Sequence, residues 1–239
     1  MVDLDESHVA VLDLESFQCR THWKAADHSV ALLRTQSYGG HSMLGVADSR
    51  AGLQVYDVNQ SVDDDASEYV CLYRVPAEEI RNFQFVGNYV AVFHRFEANV
   101  SFWNMKEQKT ILCINIQDQM KELTEEFLDV DDDDDATADD DHVTAVTSVP
   151  LNDDDHLLVY ATTSGCIFGM SVANRTKLFN IPCPHAAEET SNRGRHAQGV
   201  AFLPGGRLVV GYEKCGLTLM DFNQENLPPR PPTRCQKRT

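Results

Sequence analysis

Four segments of the sequence end an apolar run in nearly the same way. They lie at residues 52–57, 99–104, 165–170 and 216–221, and residues 9–13 form a shorter fifth copy. Segments that recur at a regular spacing indicate that one small structural unit is repeated along the chain. The apolar runs are short, rich in Val, Ile, Leu, Tyr and Phe, and bounded by Gly, Asn, Asp or Pro, which is typical of β-strands. The recurrence therefore predicts a stack of small antiparallel sheets.

The spacing of the copies indicates which stack this is. The last residues of successive copies are 44, 47, 66 and 51 positions apart. Each full interval contains four strand signals, and a meander of four antiparallel strands is one blade of a β-propeller, with a usual period of roughly 40–45 residues. The long interval of 66 contains an acidic insert. The predicted fold is all-β, a propeller of four-stranded antiparallel blades.

The strand count leaves the closure of the ring open. Three full units are preceded by two strand signals and followed by three, which gives about four to five blades. The two end pieces could pair and close a small ring, which would remove the free strand edges. Alternatively the ring is incomplete, and its exposed blade faces need a partner or further sequence.

Three of the repeated segments end in an aromatic or apolar residue followed by Asp or Asn. The pairs are Tyr56-Asp57, Trp103-Asn104 and Met220-Asp221, and only the second keeps a tryptophan. At these positions the chain resembles the WD-repeat β-propeller family, whose repeats close on Trp-Asp. The resemblance implies a noncatalytic scaffold that binds other proteins, as a subunit or adaptor of a larger complex. A narrower version, also by analogy, is the substrate receptor of a ubiquitin ligase.

The repeat also predicts where partners would bind. Loops between the second and third strands of each unit are equivalent, so they should share one rim, and loops on a rigid scaffold are the usual carriers of specificity. The candidate partner-binding residues in these loops are Asp48, Arg50, His94, Arg95, Glu97, Thr163, Glu213 and Lys214.

Charge divides the chain into regions. The formal net charge is −17, and residues 121–141 hold twelve carboxylates against one lysine. We therefore expect propeller blades at 1–116 and 142–226, separated by an acidic loop with a short amphipathic helix at 117–141. The aspartate tract is predicted to be solvated, to dock on a basic partner or to bind cations. It departs from a calcium loop, because Asp134 stands where glycine is required and Asp140 where glutamate is required. Without basic stripes, binding to nucleic acid is not expected.

The last segment, 227–239, changes to a Pro- and Arg-rich composition. Pro229, Pro232 and Arg234 form a PxxPxR pattern, the polyproline II form that SH3-type domains recognise. The segment is predicted to be a disordered tail or, alternatively, an SH3 ligand at 229–234.

The sequence contains no common signature of catalysis. GxSxG, P-loop, GxGxxG and HExxH patterns do not occur, and Cys183-Pro184-His185 has no second pair of ligands for a metal. We expect no enzyme activity, no metal and no cofactor, with a propeller enzyme as the alternative.

Cysteine usage and hydropathy bear on the compartment. Seven cysteines, an odd number without a CxxC pair, favour reduced thiols and hence the cytoplasm or nucleus. No apolar run is long enough for a membrane span, and no N-terminal secretion signal is expected.

Overall fold

The computed structural model of the chain describes residues 6–61, 69–77, 79–94, 99–116, 142–152, 154–181, 197–203, 206–213 and 216–221. Every bounded element in these residues is a β-strand. The predicted acidic insert at 117–141 and the predicted tail at 227–239 lie outside the described residues, as do Arg95, Glu97, Lys214 and the 229–234 motif. No helix in the described part of the chain is long and apolar enough to cross a membrane.

The strands form three four-stranded sheets and two smaller end sheets, all with consecutive neighbours paired antiparallel. The first end sheet contains β1 (His8–Leu12) and β2 (Cys19–Lys24). Blade I contains β3 (Val30–Tyr38), β4 (His41–Asp48), β5 (Gly52–Ser61) and β6 (Tyr69–Val75). Blade II contains β7 (Ile80–Val86), β8 (Tyr89–His94), β9 (Asn99–Asn104) and β10 (Lys109–Asn115). Blade III contains β11 (Val143–Asn152), β12 (Asp155–Thr162), β13 (Ile167–Ser171) and β14 (Thr176–Ile181), and blade IV contains β15 (Ala197–Leu203), β16 (Arg207–Tyr212) and β17 (Gly216–Asp221).

This architecture confirms the predicted all-β fold of four-stranded antiparallel blades. The first strands of successive blades, β3, β7, β11 and β15, lie side by side in chain order. Among the described residues, the end pieces β1–β2 and β15–β17 form separate sheets rather than one shared blade. The described part of the chain is therefore an arc of consecutive blades, as in the incomplete-ring alternative.

Alternate residues of a second strand pack into the two cores on either side of its blade. In β8, Val90 and Val92 pack in the core between blades I and II, whereas Ala91 and Phe93 pack in the core between blades II and III. All four side chains are almost fully buried. A strand covered on both faces needs an unbroken apolar run, which explains why the second strands do not alternate with polar residues. Burying one such side chain stabilises the fold by about 1.5–3 kcal/mol.

The N-terminal strand pair covers the outer side of blade I. Val9 of β1 and Trp23 of β2 pack with Leu44, Val46 and Tyr56 in a separate small core. The Trp23 ring meets the Tyr56 ring edge to face, with centroids 5.6 Å apart. Blade I is thus enclosed between β1–β2 and blade II.

Candidate functional site

The blades share one orientation, which decides which loops lie together. Gln36 Nε2 of blade I donates to the carbonyl oxygen of Gly87 in blade II, at 2.9 Å. Gly87 has φ +60° and lies so close to His156 of blade III that a Cβ would be 2.8 Å from the imidazole. All three residues lie at or near the turns between first and second strands, so these turns share one edge of the arc, the lower rim. The described residues between second and third strands (48–52, 94 and 99, 163–165, 213 and 216) consequently lie at the opposite edge, the upper rim.

Blade IV follows the same orientation. The Tyr212 hydroxyl, at the end of β16, donates to the carbonyl oxygen of Gly165 in the loop between β12 and β13, at 3.3 Å. This buried bond joins the upper-rim loops of blades III and IV. Thr163 and Glu213, which flank the two bonded residues, therefore belong to neighbouring loops.

Asp48 holds the upper-rim loop of blade I from inside. Its fully buried carboxylate accepts hydrogen bonds from the backbone N–H groups of Asp27, His28, Arg50 and Ala51, at 2.8–3.0 Å. His28 Nδ1 lies 3.1 Å from the same carboxylate. Burial alone would raise the pKa of Asp48, but the backbone N–H bonds outweigh it and lower that pKa below its usual value. Asp48 therefore organises the loop, and its buried carboxylate is not exposed for a partner to contact.

The corresponding loop in blade III is tied down by backbone and hydroxyl groups. Thr163 N–H donates to the His142 carbonyl oxygen at 3.0 Å, and the Thr163 hydroxyl accepts the His142 N–H at 3.1 Å. In blade I the equivalent bond runs from Ser49 N–H to the Ser29 carbonyl oxygen, at 2.9 Å. In both blades the upper-rim loop is fixed to the residue that precedes the first strand.

The remaining described candidates differ in exposure. His94 is half-buried, and its Nε2 lies 2.8 Å from the Ser101 hydroxyl of the adjacent strand. The side chains of Arg50 and Glu213 are exposed on the upper rim. Of the described candidates, Arg50 and Glu213 are thus the charged groups that a partner can reach directly.

The lower rim uses a second set of buried acceptors. Asp57, at the end of a repeated segment, accepts the Asn59 N–H at 3.0 Å and lies 2.6 Å from His41 Nδ1. Burial opposes ionisation of Asp57, but the bond from His41, followed by backbone N–H bonds, lowers its pKa. Asn104 plays the same part in blade II by accepting the N–H groups of Lys106 and Glu107 at 2.9 Å. Asn104 thereby shapes the turn between β9 and β10, and Asp57 holds the backbone within the last part of β5.

Blade III departs from this pattern by one position. Ala161 pairs with Ile167 in blade III as Ala47 pairs with Leu53 in blade I, so Ser171 rather than Met170 corresponds to Asp57. The Ser171 hydroxyl accepts the Asn174 N–H at 3.1 Å and donates to the buried Asp155 carboxylate at 2.6 Å. Aligning the segments by their glycines misses this shift.

Polar side chains on the first strands of neighbouring blades form hydrogen bonds from one blade to the next. Arg34 Nη2 of β3 donates to Asn82 Oδ1 of β7 at 3.3 Å. Gln84 Nε2 of β7 donates to the Ser148 hydroxyl of β11 at 3.3 Å, and that hydroxyl donates to the Phe85 carbonyl oxygen at 2.9 Å. The polar side chains of these first strands therefore link neighbouring blades. The described residues contain no group of three or more His, Cys, Asp or Glu side chains placed to hold a metal ion.

Comparison with known proteins rests on structure. No family model and no curated protein matches the sequence. Two crystal structures of BBS1N in complex with ARL6DN, soaked with mercury and with lead, match with TM-scores of 0.62 and 0.60 at 10% identity. They match over 93% and 91% of this chain and 60% and 58% of those chains. Raptor from Chaetomium thermophilum matches with a TM-score of 0.58 at 12% identity, over 90% of this chain and 18% of that one.

The chain thus spans less than two thirds of each of these proteins. BBS1N and Raptor have β-propeller, WD-like folds. At such low identity the likeness concerns the fold alone, and it agrees with the stacked four-stranded blades. The chain accordingly has a β-propeller fold.

Proposed function

We propose that the chain is a noncatalytic scaffold that binds other proteins through its upper rim, as a subunit or adaptor of a larger complex. One observation carries the proposal: exposed charged side chains stand on loops whose backbones are fixed from beneath. Arg50 is exposed directly beside the buried Asp48, and Glu213 directly follows the buried Tyr212. A surface already held in one conformation loses little entropy on binding, which favours affinity.

The fold neighbours give independent support. BBS1N was solved in complex with ARL6DN, so a propeller of this kind can present a surface to another protein. The pairs Tyr56-Asp57 and Trp103-Asn104, whose second members each accept the backbone N–H two residues further on, favour a divergent WD-repeat origin.

The role proposed is noncatalytic because the buried carboxylates are occupied by structural bonds. Asp48 and Asp57 hold loop N–H groups, and Asp155 accepts the Ser171 hydroxyl and the Asn174 amide. An acid or base that is fully engaged in this way is poorly placed to exchange protons with a substrate.

Charge reversal on the upper rim tests the proposal. The double variant Arg50→Glu/Glu213→Lys changes two exposed side chains and leaves the net charge unaltered. Proteins that copurify with the tagged wild-type chain are identified by mass spectrometry, and the binding of each purified partner is then measured by calorimetry. We expect the double variant to bind at least tenfold more weakly.

The matched control is the lower-rim variant Lys106→Glu/Glu107→Lys. It makes the same two charge reversals on the exposed turn between β9 and β10 and also leaves the net charge unaltered. We expect less than a twofold change in affinity and an unchanged melting temperature. Equal weakening by both double variants would refute the upper rim as the binding surface, and an absence of any specific protein partner would refute the scaffold function.

We also propose that the protein works in a reducing compartment, the cytoplasm or nucleus. Cys19 and Cys113 are exposed free thiols, and Cys71 and Cys166 are half-buried free thiols. Exposed thiols persist where glutathione keeps them reduced. Alkylation in intact cells followed by mass spectrometry should label Cys19 and Cys113, and finding them in disulfides would contradict this location.

A further inference from the structure

The end of the arc at blade IV carries an uncovered apolar face. In β16, Leu208, Val210 and Tyr212 pack against blade III. Side chains alternate between the two faces of a strand, so Val209 and its partner Leu219 point the other way. This outer face of blade IV holds Ala201, Leu203, Val209, Leu217 and Leu219 together with Gly199 and Gly211, and the exposed Arg207, paired with Leu203, lies at one end of it.

Register equivalence shows what covers such a face in the rest of the molecule. Leu217 pairs with Gly211 as Leu53 pairs with Ala47, Val100 with Phe93 and Ile167 with Ala161. The side chains of Leu53, Val100 and Ile167 are 1%, 0% and 0% exposed, because each packs against the next blade. Leu217 is 79% exposed and Leu219 is 53% exposed. This register position is covered by the next blade in blades I, II and III, and it is exposed in blade IV.

The edge of the same blade is also open among the described residues. The third strands β5, β9 and β13 each pair with a fourth strand, whereas no described strand pairs with the outer side of β17. An unpaired edge with free N–H and C=O groups accepts a further strand. The face and the edge lie on one strand, so a single partner can satisfy both.

The segments at the two ends of the chain are poorly suited to cover the outer face of blade IV and the edge of β17. The sequence after β17 has prolines at 228, 229, 231 and 232, and proline cannot donate a ladder hydrogen bond. The outward side of the N-terminal strand pair, at the other end of the arc, presents exposed Arg20, His22 and Lys24 on β2, with Leu12 at the end of β1. Burying these polar and charged side chains against leucines would remove them from water without new partners, which argues against head-to-tail association of copies.

We propose that the outer face of blade IV and the open edge of β17 dock an antiparallel β-sheet of a different polypeptide, stacked on blade IV as blade IV stacks on blade III. Sheets stacked face to face lie about 10 Å apart and interdigitate alternating side chains. The partner must therefore present a strand-spaced apolar face, and an edge strand to continue the sheet. This surface is distinct from the upper rim.

Site-specific crosslinking identifies the occupant. The photoreactive p-benzoylphenylalanine replaces Leu219 in the full chain expressed in cells, and a control chain carries it at Leu14, which is 82% exposed in the segment between β1 and β2. We expect an adduct at 219 and not at 14, whose peptide comes from a β-strand of another protein with alternating apolar residues. Adducts to residues 222–239, to further sequence of the same polypeptide or to a second copy would overturn the proposal, as would no adduct above the Leu14 control.

Affinity measurements complete the test. The crosslinked partner is purified and titrated against Leu217→Ser/Leu219→Ser, against Leu14→Ser and against the upper-rim double variant. We expect at least tenfold weaker binding for the first and less than twofold change for the other two, with melting temperatures equal to that of the wild type. A change below twofold in the first variant would overturn the proposal, and loss only in the upper-rim variant would assign the partner to that rim instead.

Discussion

The substitution Asp48→Asn isolates the bond network that holds the upper-rim loop of blade I. The side chain keeps its shape, and its remaining oxygen can still accept the N–H groups of Arg50 and Ala51. The new NH2 group replaces the oxygen that accepts the N–H groups of Asp27 and His28, so donors face donors. Hydrogen bonds to a charged acceptor contribute about 1.5–3 kcal/mol each, so losing two should cost roughly 3–6 kcal/mol of unfolding free energy.

Urea unfolding at pH 7 measures this loss directly, and Asp27→Asn is the matched control because Asp27 is exposed in the segment between β2 and β3 that Asp48 holds. The control should lie within about 0.5 kcal/mol of the wild type, as exposed substitutions usually do. Hydrogen exchange at the Asp27 and His28 amides should accelerate in Asp48→Asn only. A loss below about 0.5 kcal/mol in Asp48→Asn would refute the view that this carboxylate stabilises the loop.

Low pH should destabilise the wild-type protein in the same way as the substitution Asp48→Asn. The pKa of Asp48 is lower in the folded state than its ordinary value of 3.8. The unfolded state therefore binds the proton more readily, and the stabilisation is complete above that value and declines as pH falls below it. The stability gap between the wild type and Asp48→Asn should accordingly narrow below about pH 4. A gap that stays constant down to pH 2 would contradict the assignment of the ionised carboxylate.

Two further comparisons each set a tightly packed position against an open one in the same kind of strand. Gly45→Ala should destabilise the fold by about 1–3 kcal/mol through overpacking, because the new Cβ would lie 2.7 Å from the Phe83 ring, whereas Gly211→Ala, with its nearest contact at 3.5 Å, should be tolerated. Urea midpoints decide this, and equal effects would contradict the packing. Leu53→Ala should cost about 2–5 kcal/mol as a buried truncation, but Leu217→Ala at the same register should cost less than about 0.5 kcal/mol. A large loss in Leu217→Ala would mean that the chain itself covers this leucine.

The sequence predicted the blades well because strand periodicity and turn residues are local signals. The strands at Tyr69–Val75 and Ile80–Val86, for example, begin and end where the apolar run and the flanking polar residues indicate. The equivalence of the loops between second and third strands followed from the same repeat. The shift from Met170 to Ser171 did not, because in blade III one extra residue, Cys166, stands between the loop glycine and Ile167, whereas Gly52 directly precedes Leu53 in blade I.

The roles of individual site residues were harder to predict. Asp48 and Arg50 are two positions apart in one polar loop, and nothing local distinguishes a buried acceptor from an exposed charge. The difference arises from residues 27 and 28, about twenty positions earlier, which fold back onto the carboxylate. Asp155 was missed for the same reason, since its partner Ser171 lies on another strand. Burial depends on tertiary contacts that one sequence does not display.

The division of each strand between two cores has a consequence for how the protein opens. Blades I, II and III are each held on both sides, whereas blade IV has a described neighbour on one side only, blade III. In a nearest-neighbour array, a unit held by one interface has the lowest free energy of local opening. Fraying should therefore begin at blade IV and travel inward, so that amide protection rises from β17 towards β8. A partner seated on blade IV would raise protection throughout that gradient, and stability at the end of the array would report on assembly.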